Sequence, residues 1–277
     1  MKTPEKEMKK LLWDSSRKKI LSLTAFLAFG FILALLVRFY VLEPYSIQDA
    51  SMHPEFAEGK RFWVCKLPAC TGNITRGDFV LAQKTNGTLT LRKVLGLPGD
   101  TVKFHNDNEV SVNSFSFHWE HENAFIAPRT VYIPRQGDTL RFADLSDVEF
   151  DYASRLYQMQ NPGEKIKIEV TLYQGEKEIA LEKVGNISIA GRPVSAREVQ
   201  GLPWQELHFI ELGLQKMEPG SRRFQIKRKI VSDSSEVSLF AVKEDTFFLI
   251  CRKGNYCLDS RELGYFPKNK ILGKVIR

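Results

Sequence analysis

This chain of 277 residues has only four cysteines and five histidines, and neither type is arranged to hold a metal. The pairs Cys65/Cys70 and Cys251/Cys257 fit no zinc-knuckle spacing, and no histidine pair accompanies them. His53, His105, His118, His121 and His208 show no His/Asp pairing of the kind that activates a serine. On a strand, His118 and His121 of His-Trp-Glu-His-Glu would face opposite sides without a third ligand, so that segment reads as a solvated face. The chain also lacks internal repeats and low-complexity tracts. With 43% hydrophobic and 26% charged residues, its composition excludes long disorder. No cofactor and no metal are expected.

The net charge of +7 has a local origin. Seven of the 40 basic residues (Lys2, Lys6, Lys9, Lys10, Arg17, Lys18, Lys19) lie in the first 19 positions and, against Glu5, Glu7 and Asp14, leave that tail at +4. The basicity therefore gives no reason to expect nucleic acid as a partner. Residues 20–37 follow as an uncharged run, ILSLTAFLAFGFILALLV. As a helix that run spans roughly 27 Å at ~1.5 Å per residue, close to a bilayer core of about 30 Å. Arg38 ends it, and Phe39, Tyr40 and Tyr45 supply interfacial aromatics. A cleavable leader would have a shorter apolar region followed by a small-x-small site, whereas Arg-Phe-Tyr-Val-Leu follows here. The expectation is an uncleaved anchor in contact with membrane lipid, a basic tail in the cytoplasm (1–19), a span at 20–38, and the remainder on the far side. Beyond the membrane each close cysteine pair has two readings, a small-loop disulfide or free buried thiols.

After the anchor the chain reads as β-rich. Short apolar or alternating runs at 62–64, 79–82, 88–91 and 101–104 are separated by Gly, Asn or Pro turn signals, with Asn86-Gly87 marking a hairpin. The strand pattern continues at 166–172, 187–189, 208–212, 224–230, 237–242 and 246–251. The clearest helical stretch is 142–157, with Asp144, Asp147 and Asp151 on its polar side. Residues from about 106 to 235 carry no readable chemical motif.

Chemistry enters with Ser51, just beyond the anchor, and Lys93, at the end of an apolar run. A serine hydroxyl needs a base within hydrogen-bond reach. Lysine can serve when neutral, and apolar neighbours such as Val94 and Leu95 disfavour the ammonium. Taken alone, Lys93 would be an ordinary solvent-facing strand residue. It does not stand alone. Glu43-Pro44-Tyr45-Ser46-Ile47-Gln48-Asp49-Ala50-Ser51-Met52-His53-Pro54 follows the anchor. Next come Arg76-Gly77-Asp78 and Arg92-Lys93-Val94-Leu95-Gly96-Leu97-Pro98-Gly99-Asp100, and finally Cys257-Leu258-Asp259-Ser260-Arg261.

This order and spacing resemble the type I signal peptidases, membrane-anchored Ser-Lys endopeptidases that remove signal peptides from exported proteins. The likeness covers about 40–105 and 237–276. It implies an all-β, coiled antiparallel-sheet catalytic core in two parts, 39–105 and 236–277, flanking an inserted β region at 106–235. It further implies Ser51 as nucleophile and the Ser51 N–H, with the side chain of residue 49, as the oxyanion region. Ile47 and Leu91 would line shallow pockets for small substrate residues, and Asp259, Ser260 and Arg261 would support the site. The substrates would be signal-peptide-bearing preproteins, and the setting a bacterial inner membrane with the catalytic part on the periplasmic side of a single-pass monomer.

The chain departs from the family beside the site. Counting back from Gly96, Arg92 stands where the family's lysine stands, and Lys93 where its arginine does. Arginine does not act as a neutral base. On a regular strand the two point to opposite faces, and a β-bulge would re-aim Lys93. Asp49 brings a carboxylate to the oxyanion region, which Arg92 could neutralise. Cys257 replaces a hydroxyl two residues before Asp259. Three readings follow: an active Ser51-Lys93 peptidase, a non-catalytic membrane-anchored binding or regulatory homologue, and a tethered β-domain that keeps only the scaffold.

Overall fold

A computed structural model describes residues 4–47, 51–84, 87–106, 109–113, 115–118, 129–189, 191–233, 235–252 and 258–276. Its first element is a single helix, α1 (Pro4–Tyr40). Within it, Lys19–Arg38 has a mean hydropathy of 2.7 and buries nothing against the rest of the chain. Among the described residues this is the one helix long and apolar enough to cross a membrane, and it fits a single-pass protein.

The rest is mostly β. The main antiparallel sheet begins with β1 (Leu42–Ser46), β2 (Arg61–Cys65), β3 (Phe79–Gln83) and β4 (Leu89–Gly96). Three late segments complete it: Thr246–Ile250, Phe266–Pro267 and Ile271–Ile276. Ile271–Ile276 lies between β2 and β3, and Thr246–Ile250 pairs with β4, so the two ends of the globular region interleave in one sheet. Two apolar clusters line its faces. One gathers Ile47, Met52, Phe56, Phe79, Leu81 and Leu91, and the other gathers Val80, Ala82, Val94, Leu249 and Phe266. The alternation of β3 and β4 residues between these clusters is the period-two signature of a sheet buried on both sides.

A second, four-stranded sheet of Thr101–Asn106, Glu109–Val112, Phe115–His118 and Arg129–Tyr132 follows the turn after β4. A third is built around the long pair Ile166–Gln174 and Phe224–Ser232. Two helices pack there, and both bear on sequence expectations. The stretch expected to be helical from 142 divides into a 3-10 turn, Phe142–Asp144, and a helix, Asp147–Gln160, started by a capping box between Ser146 and Glu149. Asp151 is not on a solvated face. It is buried, accepts from Trp204 N at 3.0 Å and pairs with Arg228. The segment 208–212 is not a strand but the middle of the helix Trp204–Met217. Its buried residues Leu207, Ile210 and Leu214 recur at helical spacing and pack on Phe224 and Ile226, a stripe that a five-residue window cut short.

Cys65 and Cys70 form a disulfide that closes a short loop after β2. Cys251 is also disulfide-bonded. Asp49, Asn86, His121 and Cys257 lie outside the described residues.

Candidate functional site

Three segments meet around Ser51. The first is its own turn. Ile47 is pinned on both sides, donating its N–H to Lys60 O at 3.2 Å and accepting from Gly59 N at 2.8 Å. After Ser51 the chain turns through a cis His53–Pro54 bond, and Phe56 N returns to Met52 O at 3.0 Å. Phe56 packs edge-on against Phe62 and Phe79, which anchors the turn to β2 and β3. Ser51 itself is buried, and its carbonyl accepts from Arg252 N at 2.9 Å, just beyond the strand Thr246–Ile250.

The second segment is β4. Its pairing with β3 runs without a shift from Leu89 to Lys93, so Arg92 and Lys93 alternate as in any regular strand. The irregularity in this part of the sheet falls between Phe248 and Leu249, opposite the end of β4. No bulge re-aims Lys93. Lys93 shares the face of Phe79, Leu81 and Leu91, on which the Met52–Phe56 turn packs. Its Nζ lies 5.5 Å from the centre of the Phe79 ring and 3.8 Å from Glu55 Oε1. Together with Met52 and Cys251 it bounds a small cavity. Arg92 leaves the other way and is 1% exposed, donating to Leu91 O at 2.6 Å and Leu258 O at 3.0 Å.

The third segment is the turn at 258–263. Asp259 and Arg261 form a buried ion pair, with Arg261 Nε 3.0 Å from Oδ1 and Nη2 2.8 Å from Oδ2. Asp259 also accepts from Cys251 N at 2.8 Å, and Ser260 Oγ accepts from Leu249 N at 2.8 Å. The turn therefore clamps the strand whose continuation holds Ser51. Burial opposes the Arg261 charge, but Asp259 beside it prevails and raises the guanidinium pKa. Burial, reinforced by the Asp259 charge, lifts Glu262 to about 7.

A groove of about 350 Å³ runs beside the Ser51 turn, bounded by Tyr45, Ile47, Phe62, Leu81, Leu89 and Leu91. It brings together the two pocket residues expected from sequence, Ile47 and Leu91. Among the described residues β1 pairs only with β2, and Leu89 to Arg92 only with β3. Backbone donors and acceptors therefore flank a channel lined by these apolar side chains together with Ser46, Thr88 and Thr90, a geometry that accepts an extended peptide as an added strand.

The Gly96-Leu97-Pro98-Gly99-Asp100 turn is scaffold. Asp100 accepts from Leu97 N at 2.7 Å and Arg76 Nε at 3.1 Å, which explains why Arg76-Gly77-Asp78 accompanies it. Gly99 has φ +86°, a conformation that favours glycine. Glu55 and Arg252, which join at 3.4 Å beside Lys93, were not picked out from sequence. They are 197 positions apart, and no local pattern links them.

Residues 20–149 match the family described as "Signal peptidase, peptidase S26". Among similar proteins, Signal peptidase I P of Bacillus subtilis subsp. natto is 36% identical over 107 residues, which is 38% of this chain and 54% of that protein. Signal peptidase I of Bacillus amyloliquefaciens is 38% identical over 76 residues, covering 27% of this chain and 39% of its own length. Signal peptidase IB of Staphylococcus aureus (strain COL) is 30% identical over 91 residues, or 33% and 48%. The chain thus spans about half the length of the relatives it matches. The buried Asp259–Arg261 turn lies beyond the matched residues and joins them only through the fold.

Proposed function

We propose that this chain, whose residues 20–149 match the signal peptidase family, is a single-pass membrane serine endopeptidase that removes N-terminal signal peptides from exported preproteins. In this reading α1 lies in a bacterial inner membrane with its basic tail in the cytoplasm, and the β portion works on the periplasmic side as a monomer. The preprotein enters as an extended strand between β1 and the first half of β4. Ile47 and Leu91 restrict the side chains that fit beside the scissile bond.

Neutral Lys93 takes the proton of Ser51 as Oγ attacks the scissile carbonyl, with the developing oxyanion held by the Ser51 N–H. Lys93 then returns that proton to the leaving amine. Water, deprotonated in the same way, hydrolyses the ester and regenerates Ser51. The observation that carries the assignment is that Lys93 lies on the Leu91 face of β4 and borders one cavity with Met52, the residue after Ser51.

A second reading, a non-catalytic homologue that binds signal peptides without cutting them, is favoured by two observations. Lys93 is engaged by Glu55, and the family's lysine register is filled by the buried Arg92. The full chain, incubated with a preprotein beside Ser51→Ala and Lys93→Ala variants, separates the two. Cleavage lost in both variants supports the dyad, and cleavage indifferent to both overturns it. A wild type that binds the preprotein and never cleaves it establishes the second reading.

A further inference from the structure

Glu55 follows Ser51 by four residues on the same turn, and its carboxylate faces cations from two different strands. Oε1 lies 3.8 Å from Lys93 Nζ on β4 and 3.4 Å from Arg252 Nη1, beyond Thr246–Ile250. The Glu55 and Lys93 side chains are mostly withdrawn from solvent, at 22% and 26% exposure. Glu55 Oε2 is buried, and it has no hydrogen-bond partner among the described residues. The cavity it borders, with Met52, Lys93 and Cys251, is small, about 30 Å³, room for a few ordered waters at most. The partners of Glu55 are the two cations.

The two contacts differ in kind. The Arg252 contact is a hydrogen bond, and the Arg252 N–H also holds the Ser51 carbonyl at 2.9 Å. That fixes the carboxylate to the nucleophile's turn. The Lys93 contact is longer than a hydrogen bond, so Nζ is drawn electrostatically without having its donors locked. Without the carboxylate, Lys93 and Arg252 would face each other with no counter-charge between them among the described residues, and the flexible lysine would swing outward.

Resting on the peptidase reading, we infer that Glu55 is the positioning residue for Lys93. It holds the amine on the Met52 side of β4, beside Ser51, while Arg252 holds Glu55. The clip joins the serine turn to both strands through one carboxylate.

The test uses the full-length chain in detergent micelles. Lysines are acetylated with limiting acetic anhydride and quantified by mass spectrometry, with exposed Lys103 and Lys167 as internal references. Glu55→Gln should raise the Lys93 rate about threefold or more relative to the references, because the amine is no longer held beside the turn and swings into solvent. In preprotein cleavage it should lower kcat about tenfold with KM nearly unchanged, because a positioning defect acts on the chemical step. Glu55→Asp keeps the charge and should restore most of both properties, which a general loss of folding would not allow. An unchanged Lys93 rate in Glu55→Gln overturns the inference, and so does an unchanged kcat in an enzyme that cleaves. A wild type that does not cleave removes the peptidase reading alone, and the acetylation ratio still decides whether Glu55 holds Lys93.

Discussion

Arg92 and Lys93 are consecutive in the chain and leave β4 on opposite faces, Arg92 bonded to the carbonyls of Leu91 and Leu258 and Lys93 3.8 Å from Glu55. The pairing of β4 with β3 is regular through both positions, so their order decides which environment each receives. Exchanging them is therefore a direct test of which position carries the base.

The double variant Arg92→Lys/Lys93→Arg keeps composition and charge while inverting the order. With Lys93 as base, the exchange puts a guanidinium beside Glu55 and lowers kcat/KM for preprotein cleavage by about a hundredfold or more. Increased cleavage would assign the base to position 92 instead.

Asp259 and Arg261 are both buried and bonded to each other through two contacts, at 3.0 and 2.8 Å. Arg261→Met strands the Asp259 charge and should cost about 3–5 kcal/mol in urea denaturation. Replacing both residues, Asp259→Leu/Arg261→Met, should cost less than the single change, because no charge is left unpaired. A double variant less stable than the single would contradict this account.

Glu262 makes stability depend on pH. Burial first, then the Asp259 charge, raises its pKa to about 7, above the unfolded value of ~4.3. The folded state binds this proton more tightly, so the contribution is full below the unfolded pKa and is lost as pH rises through about 7. The urea midpoint of wild type relative to Glu262→Gln should fall between pH 5 and pH 8. Glutamine retains the capping box to Asp259 N, so the comparison isolates the proton. A difference constant across that range would refute the assignment.

Gly96 ends β4 where neighbours leave no room for a side chain. A Cβ there would overlap Ile133 Cδ1 and meet Phe248 Cβ at 3.3 Å. Gly96→Ala should destabilise by about 1–3 kcal/mol, as overpacking does. Adding Ile133→Val removes the closest atom and should recover part of the loss, measured as thermal midpoints of the single and double variants.

Much of the main sheet and of the helix before it was legible because its cues are local. Eighteen uncharged residues bounded by charge announce a span, and alternating runs between Gly and Asn turns announce strands. Ile47 and Leu91, picked out by the family likeness, do line one groove. Residues 106–235 were less readable. The helix Trp204–Met217 carries its apolar stripe over 14 residues, so five of them pass for a strand. The burial of Asp151 depends on Arg228, 77 positions away.

The uncharged apolar run, the β character, the likeness to signal peptidases and the order of Arg92 and Lys93 are legible in the sequence, since each is a matter of composition, period or motif. Tertiary structure alone decided what those two residues face. Side-chain direction follows from strand register, and register is set by pairing with β3 and by the packing of the Met52–Phe56 turn against Phe79. The same packing brings Glu55 and Arg252 to Lys93, a charge cluster assembled from three separate segments that no local pattern contains.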